Sequence, residues 1–127
     1  MNIKKELKTS DILANIIIEG MKEVKAKEIV SLDLRKIETS VCDFFIICHG
    51  TSNTHASAIA DSVIEETLKS IKEKPWHKEG LTNSDWILLD YGNVVAHIFQ
   101  KEIRDHYNIE KFFRAYRLVS VQVELVD

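Results

Sequence analysis

Residues 85–99 read DWILLDYGNVVAHIF, and this stretch decides the fold. Two apolar runs, both rich in residue types that favour strands, flank the short connection Asp-Tyr-Gly-Asn. Gly and Asn tolerate the positive φ angles that tight turns require. The stretch therefore predicts a β-hairpin, with one arm on each side of Gly92.

Two aromatic residues of this hairpin are candidates for contact with a partner. Trp86 begins the first arm and Tyr91 stands at the tip, and three carboxylates surround them in the sequence: Asp85, Asp90 and Glu79. Large aromatics within an acidic rim suit a partner with a basic surface. The alternative is that both aromatics belong to the core of the hairpin and that the carboxylates form a solvated rim.

Composition indicates one globular domain. Of 127 residues, 45% are hydrophobic and 29% charged, and one Pro and four Gly leave no room for a flexible linker. We expect a single domain over residues 1–127, with a core at about 10–113 and a C-terminal extension, 114–127, that contains a strand. No membrane span or secretory signal is predicted, which favours a cytoplasmic protein. The net charge of −3 suits a basic protein partner better than non-specific binding of nucleic acid.

Hydrophobic periodicity predicts an α/β fold. A strand, a helix and a further strand form a βαβ unit, to which the hairpin adds an antiparallel strand. We therefore expect a mixed, mostly parallel sheet with helices packed against it. The predicted elements, in order, are a helix that begins at Ser10 or Asp11, strands at 29–34 and 44–48, a helix that ends near Lys72, the hairpin, short helices at 102–107 and 109–113, and a strand at 119–125.

The turn at residues 50–53, Gly-Thr-Ser-Asn, lies between a predicted strand and a predicted helix. Such a turn can bind a phosphate through its N–H groups and the helix dipole, or it can simply cap the helix. Transfer chemistry would need carboxylates on a neighbouring strand for a divalent metal, and no Asp-x-Asp or Asp-x-Glu pair follows on a strand. Capping is the favoured interpretation, and a nucleotidyltransferase-like, nucleotide-binding enzyme is the alternative function.

The cysteine and histidine residues are expected to be structural. Cys42 and Cys48 lie in or beside an apolar run, and no Cys-x-x-Cys pair is present. His49 follows Cys48 directly, so the two side chains leave opposite faces of a strand, which disfavours a shared metal site. His97 lies in a strand without an assignable nucleophile, which favours a core histidine over a catalytic base. The sequence predicts no metal, no cofactor and no catalytic residues.

An ordered series of motifs extends from about Leu13 to Phe113. The series consists of SVCDFFIIC at 40–48, GTSNTH at 50–55, IAD at 59–61, EG at 79–80, the hairpin, RDHY at 104–107 and IEK at 109–111. Single pieces such as Gly-Thr-Ser carry little weight, but the order, with nothing long inserted, is specific. By this series the chain resembles the ribosomal silencing factors, also called Iojap-like or RsfS proteins.

The resemblance implies a fold and a function. The implied fold has a nucleotidyltransferase-like topology without the catalytic carboxylates, and the implied protein is not an enzyme. Silencing factors bind the large ribosomal subunit through its fourteenth large-subunit protein and sterically block joining of the small subunit, so that translation falls when nutrients are limiting. The family is also associated with assembly of the large subunit and with homodimers.

The resemblance also bears on particular residues. In the family, the positions that match Trp86 and Tyr91 lie at the contact with the large subunit. At the second position, Tyr stands where Leu can occur in other members. Many members end soon after the position of Phe113, so the longer tail of this chain is expected to add a sheet edge or to contact a second copy.

Three basic residues lie near this tail: Lys111, Arg114 and Arg117. They either make a minor contact with ribosomal RNA or form a solvated face, and the solvated face is the favoured interpretation.

Overall fold

The computed structural model describes residues 3–116 and 118–124. These residues form four helices and six strands, and none of the helices is long and apolar enough to cross a membrane. In chain order the elements are α1 (Ile3–Glu23), β1 (Lys27–Asp33), β2 (Phe44–Gly50), α2 (Asn53–Ile71), β3 (His77–Glu79), β4 (Trp86–Asp90), β5 (Val94–Gln100), α3 (Lys101–Tyr107), α4 (Ile109–Arg114) and β6 (Ser120–Val123). The predicted hairpin and the two short helices after it are confirmed.

The strands form one sheet in the order β3-β4-β5-β2-β1-β6. The prediction of a mixed sheet is confirmed, but the prediction that it is mostly parallel is wrong. Among the described strands, only β2 and β5 pair in parallel, and all other neighbours are antiparallel. A parallel pair needs a long crossover, and only the connection through α2 supplies one. The edge strand β3, His77–Glu79, is not among the strands that the sequence predicted.

β2 and β5 lie at the centre of the sheet and are buried on both faces. On the first face, α1 and α2 cover a core that includes Ile17 and Ile98. On the second face, a smaller apolar cluster contains Ile47 and Phe99 and lies against residues of α3, α4 and the segment around Ile37. The second face therefore has a cover of short elements, whereas the first has two long helices.

The first helix begins earlier than the sequence predicted. Ser10 and Asp11 lie inside α1 and do not cap it. The Ser10 side chain is buried, its hydroxyl donates to Oδ2 of Asp43 at 2.6 Å, and it accepts from Nδ2 of Asn93 at 2.8 Å. Ser10 thus connects α1 to the start of β2 and to the hairpin turn, which is a tertiary role that local capping preferences do not reveal.

The C-terminal segment contains β6, which pairs with β1 and covers that edge of the sheet. Val121 lies opposite Leu32 and packs on the second-face cluster, whereas Val123 is exposed. Residue 125 of the predicted strand and Arg117 of the predicted basic group lie outside the described residues.

The two long helices approach each other closely at Gly20. A Cβ atom at this position would lie 2.8 Å from Cα of Val63 and 3.2 Å from the carbonyl oxygen of Ser62. The Ser62 hydroxyl donates to the carbonyl oxygen of Gly20 at 2.7 Å. The helix contact therefore requires a glycine, although glycine is a poor helix former.

We expect Gly20→Ala to lower the free energy of unfolding by about 1–3 kcal/mol, because the added methyl group would force α1 and α2 apart. Helix propensity alone predicts the opposite sign, a gain of about 1 kcal/mol. Urea unfolding followed by circular dichroism measures the change. The matched control is Ala58→Gly at an exposed position of α2, which should cost about 1 kcal/mol. A Gly20→Ala variant more stable than the wild type would contradict the close-packing argument.

Candidate partner-binding site around Trp86

The hairpin turns tightly at its tip. The N–H of Gly92, which has a φ of +92°, donates to Oδ1 of Asp90 at 2.8 Å, and the N–H of Tyr91 donates to the carbonyl oxygen of Val94 at 2.9 Å. The expectation that Gly92 supplies the positive φ angle of a tight turn is confirmed.

Side chains of β4 alternate between the two faces of the sheet. Ile87 and Leu89 point to the first face and are completely buried. Trp86, Leu88 and Asp90 point to the second face and are half-buried. The second face of β4 therefore presents a row of partly accessible side chains that begins with an aromatic residue and ends with a carboxylate.

Trp86 is held in place by its neighbours. Its ring centroid lies 4.8 Å from that of Phe99 and 5.1 Å from that of Tyr107, and its Nε1–H donates to Nδ1 of His97 at 3.1 Å. One edge of the indole is thus fixed by a hydrogen bond and its ring by two aromatic contacts. A side chain fixed in this way loses little conformational entropy when a partner covers its remaining surface.

Tyr91 does not join this row. Its side chain lies on the first face, where it is 2% exposed and packs in the core with α2. Its hydroxyl lies 2.8 Å from Oγ1 of Thr67, within hydrogen-bond distance, and burial raises the pKa of the phenol. The expectation that the Tyr91 side chain faces a partner is therefore wrong, because an odd number of strand positions separates it from Trp86.

Glu79 and Trp86 line the same concavity at the edge of the sheet. β3 places Glu79 opposite Leu88, and Glu79, Gly80, Trp86 and Leu88 line a concavity of about 290 Å³. Glu79 is exposed, and its Oε2 lies 2.6 Å from Nε2 of His77. Gly80 has a φ of +80°, and a Cβ atom there would overlap the carbonyl oxygen of Trp86. A glycine is therefore required at the floor of this concavity.

The other two carboxylates have local structural partners. Oδ1 of Asp85 accepts from Nδ2 of Asn53 at 2.7 Å, which ties the start of the hairpin to the start of α2. Asp90 accepts from the hairpin turn and lies at the far end of β4. Both are half-buried, so Glu79 is the most accessible of the three predicted carboxylates.

Several exposed aromatic residues were not predicted as site residues. Tyr107, at the end of α3, packs on Trp86 and is still 56% exposed. Phe112 and Tyr116 extend from the same side of the chain and contact each other, with ring centroids 5.5 Å apart. Trp76, just before β3, is 85% exposed. The available signal for Tyr107, Phe112 and Tyr116 was the density of aromatics in the segment after β5, whereas Trp76 stands apart from this segment.

His97 is a core histidine, as the sequence favoured. It is 5% exposed, and burial lowers its pKa from 6.5 to about 4, so the ring is neutral at neutral pH. Nδ1 accepts from Trp86, and a neutral imidazole carries its proton on the other nitrogen. His97 therefore acts as an acceptor toward Trp86 and carries a donor at Nε2.

The turn at residues 50–53 is a helix cap, which was the favoured interpretation. Ser52 caps α2 by accepting from the N–H of His55 at 3.1 Å. The N–H of Thr51 donates to Nδ1 of the same histidine at 2.9 Å. Two of the N–H groups that a phosphate would use are therefore already bonded within the turn. Among the described residues, no three His, Cys, Asp or Glu side chains are grouped as metal ligands.

Arg104 anchors the short helices to the sheet. It is 6% exposed, its Nε donates to Oε1 of Glu110 at 2.8 Å, and its Nη1 donates to Nδ1 of His49 at 2.9 Å. These bonds fix α3 and α4 on β2 and thereby hold Tyr107 against Trp86. Burial and the neighbouring guanidinium lower the pKa of His49.

The two cysteines lie on different faces of the sheet and do not form a pair. Cys48 belongs to the first-face core and Cys42 to the second-face cluster. Burial raises the pKa of the Cys48 thiol to about 12 and that of Cys42 to about 11. Both thiols are therefore protonated, buried groups, in agreement with the structural role predicted for them.

Comparison with known proteins assigns this architecture to a described family. Residues 7–126 match the family model described as "Ribosomal silencing factor during starvation". The chain is 37% identical to the ribosomal silencing factor RsfS of Haemophilus influenzae over 101 residues, which cover 80% of this chain and 97% of that protein. It is 28% identical to "Mitochondrial assembly of ribosomal large subunit protein 1" of Mus musculus, over 78% of this chain and 44% of that protein.

A solved structure has the same fold. The crystal structure of a protein from Chromobacterium violaceum superposes with a TM-score of 0.74 at 30% sequence identity, covering 88% of this chain and 86% of that one.

We expect the stability of the protein to fall as the pH is lowered from 6.5 towards 4, partly because of His97. Its pKa in the folded state, about 4, lies below the usual 6.5, so the unfolded chain binds the proton first. The stabilisation is complete above pH 6.5, is lost as the pH falls towards 4, and amounts to about 3 kcal/mol. Urea unfolding at a series of pH values measures this slope.

The control is His97→Phe, which removes the titrating group. His49, whose pKa is also lowered, contributes a slope of the same sign in both proteins, so the two slopes must be compared. Equal slopes for the wild type and His97→Phe would contradict the assignment of a neutral buried imidazole at position 97.

Proposed function

This chain belongs to the ribosomal silencing factor family, and we propose that it binds the large ribosomal subunit through the fourteenth large-subunit ribosomal protein. The bound protein blocks joining of the small subunit and so represses translation in the cytoplasm when nutrients are limiting. The action is steric, and no bond is made or broken. The name of the Haemophilus influenzae relative supports the silencing role.

The observation that carries this proposal is the state of Trp86. The side chain is accessible at the surface but fixed by His97, Phe99 and Tyr107. Fixed, partly exposed tryptophans are the residues that most often dominate the binding energy of protein interfaces. Packing of the first-face core does not explain a tryptophan at position 86. Ile87 and Leu89 of the same strand already supply that core and are completely buried.

The charge near Trp86 favours a basic partner. Glu79 is exposed in the concavity that it shares with Trp86, and Asp90 lies at the other end of the half-buried row. With a net charge of −3, the domain attracts rather than repels a basic protein surface. Asp85 contributes to this surface indirectly, because its bond to Asn53 fixes the segment that precedes Trp86.

The name of the mouse relative favours a second candidate, an assembly factor for the large ribosomal subunit. Both functions use the same partner and the same surface, and they differ in whether the bound subunit is complete. Sedimentation with mature and with incomplete large subunits would separate them. We also propose a homodimer in solution, and a minor contact of Lys111 and Arg114, which are exposed, with ribosomal RNA.

We expect Trp86→Ala to weaken co-sedimentation with isolated large subunits by about 100-fold, because a central interface tryptophan contributes several kcal/mol. Tyr91→Phe should bind as the wild type does, because its hydroxyl lies in the core at Thr67. Tyr91→Phe should instead lower the free energy of unfolding by about 1 kcal/mol.

Circular dichroism establishes that both variants are folded before binding is compared. Wild-type binding by folded Trp86→Ala would remove the hairpin surface from the proposal. Failure of the wild type itself to co-sediment would overturn the ribosome-binding function for this chain.

We expect Glu79→Lys to slow association with the large subunit by about 10-fold at low salt, because a reversed charge opposes the approach of a basic partner. The difference should shrink as salt is added. Glu65→Lys, an equal charge change at an exposed position of α2, is the matched control and should leave the rate within about 2-fold of the wild type. Stopped-flow binding measures both rates. Equal slowing by both variants would show that net charge, rather than the position of Glu79, matters.

A further inference from the structure

A cavity of about 450 Å³ opens on the second face of the sheet, beside the row that contains Trp86. Its walls are mostly apolar and include Phe45, Val95 and Phe113, with Val41 at its outer lip. Val41 is 96% exposed. A concave, apolar cavity of this volume is of the size that binds small organic molecules.

His97 supplies the cavity with a polar group. It lines the cavity wall, and its Nε2 is buried without a hydrogen-bond partner among the described residues. Because Nδ1 accepts from Trp86, the neutral ring carries its proton on Nε2, which is therefore an unused donor. A buried donor without an acceptor costs free energy, and an acceptor brought in by a ligand recovers that cost.

The remaining lining residues restrict the charge of the ligand. Asp90 lines the same cavity and contributes a carboxylate, which opposes an anionic ligand. Among the residues that the structure describes, the lining includes no Lys or Arg that would neutralise an anion. The hydroxyl of Ser40 already donates to the carbonyl oxygen of Cys42 at 2.8 Å.

We propose that this cavity binds a neutral, largely apolar small molecule that carries one hydrogen-bond acceptor, such as a ketone or amide carbonyl, for Nε2–H of His97. The ligand packs against Phe45, Val95 and Phe113 and is held in orientation by the single polar bond. The site is distinct from the concavity that contains Glu79, although Leu88 belongs to the walls of both.

His97 connects this cavity to Trp86. His97 accepts from Trp86 at one nitrogen and meets the ligand at the other. A ligand that polarises the imidazole therefore alters the hydrogen bond to the indole. Tryptophan fluorescence is thus a direct reporter of occupancy.

The test uses the neutral dye prodan, a naphthalene that carries a propionyl carbonyl, and its analogue with a propyl group in place of the propionyl. Trp76→Phe serves as the background, because the chain contains two tryptophans and this change leaves only Trp86. Energy transfer from Trp86 to the dye gives the dissociation constant. We expect saturable binding at one site, with the propyl analogue about 10-fold weaker because it lacks the acceptor.

Three variants locate the site. Val95→Phe fills the cavity from the sheet, and Thr39→Phe fills it from an exposed position in the connection before β2, where folding is least affected. Each should weaken prodan binding by about 10-fold or more, since the added ring occupies the ligand volume. His97→Phe should bind both dyes equally, because it removes the donor but keeps the ring.

A second measurement does not depend on any variant. In the wild type, the Nε2 nitrogen and proton resonances of His97 should shift on titration with prodan and not with the propyl analogue. No saturable binding, equal affinity of the wild type for both dyes, or unchanged binding by the folded Thr39→Phe variant would each overturn the proposal.

Co-sedimentation with the large subunit tests whether the cavity instead receives a side chain of the protein partner. If the wild type fails to bind prodan while Thr39→Phe weakens co-sedimentation with the large subunit, the cavity receives a side chain of the protein partner and the small-molecule proposal is overturned. Because co-sedimentation of the wild type is measured separately, failure of this proposal and failure of the ribosome-binding function remain distinguishable.

Discussion

The two central strands of the sheet, β2 and β5, are apolar on both faces, and this constraint governs the rest of the structure. A sheet of this kind is stable only when both faces are covered. The first face is covered by two long helices that pack against each other closely enough to require Gly20. The second face depends on short elements, which bury Ile47 and Phe99 but leave neighbouring side chains partly accessible. The unequal cover explains why the partly accessible side chains of the candidate site lie on the second face.

On that face, the charge state of His97 determines whether Trp86 keeps its hydrogen bond. Burial makes His97 neutral, and neutrality leaves a lone pair on Nδ1 to accept from Trp86. If the imidazole were charged, both nitrogens would be donors and the indole would lose its partner. The ion pair of buried Arg104 with half-buried Glu110 also supports this orientation, because it fixes the helix that places Tyr107 on the indole ring. The orientation of Trp86 therefore depends in part on His97 and Arg104, which are both buried.

Much of the fold could be predicted from the sequence because its signals are local. The apolar run of β2, the glycine at the hairpin tip and the periodicity of α2 each specify an element through neighbouring residues. Two expectations were wrong because their causes are not local. Ser10 looked like a helix cap, but its partners Asp43 and Asn93 lie 33 and 83 positions away in the chain. The proportion of antiparallel pairs depends on strand order, which residue patterns within single strands do not contain.

Of the two aromatic residues predicted for the candidate site, only Trp86 is accessible at the surface, and the reason is strand alternation. Trp86 begins β4 and Tyr91 follows its last residue, yet the two side chains face opposite sides of the sheet, so only one of them could belong to a surface on the second face. Tyr91 instead lies in the core, with its hydroxyl within hydrogen-bond distance of Thr67. The Thr67 hydroxyl already donates to the carbonyl oxygen of Ile64 at 3.1 Å, so it keeps a partner when the phenol is absent. Tyr91 therefore contributes to the packing of the first face and not to the surface that contains Trp86.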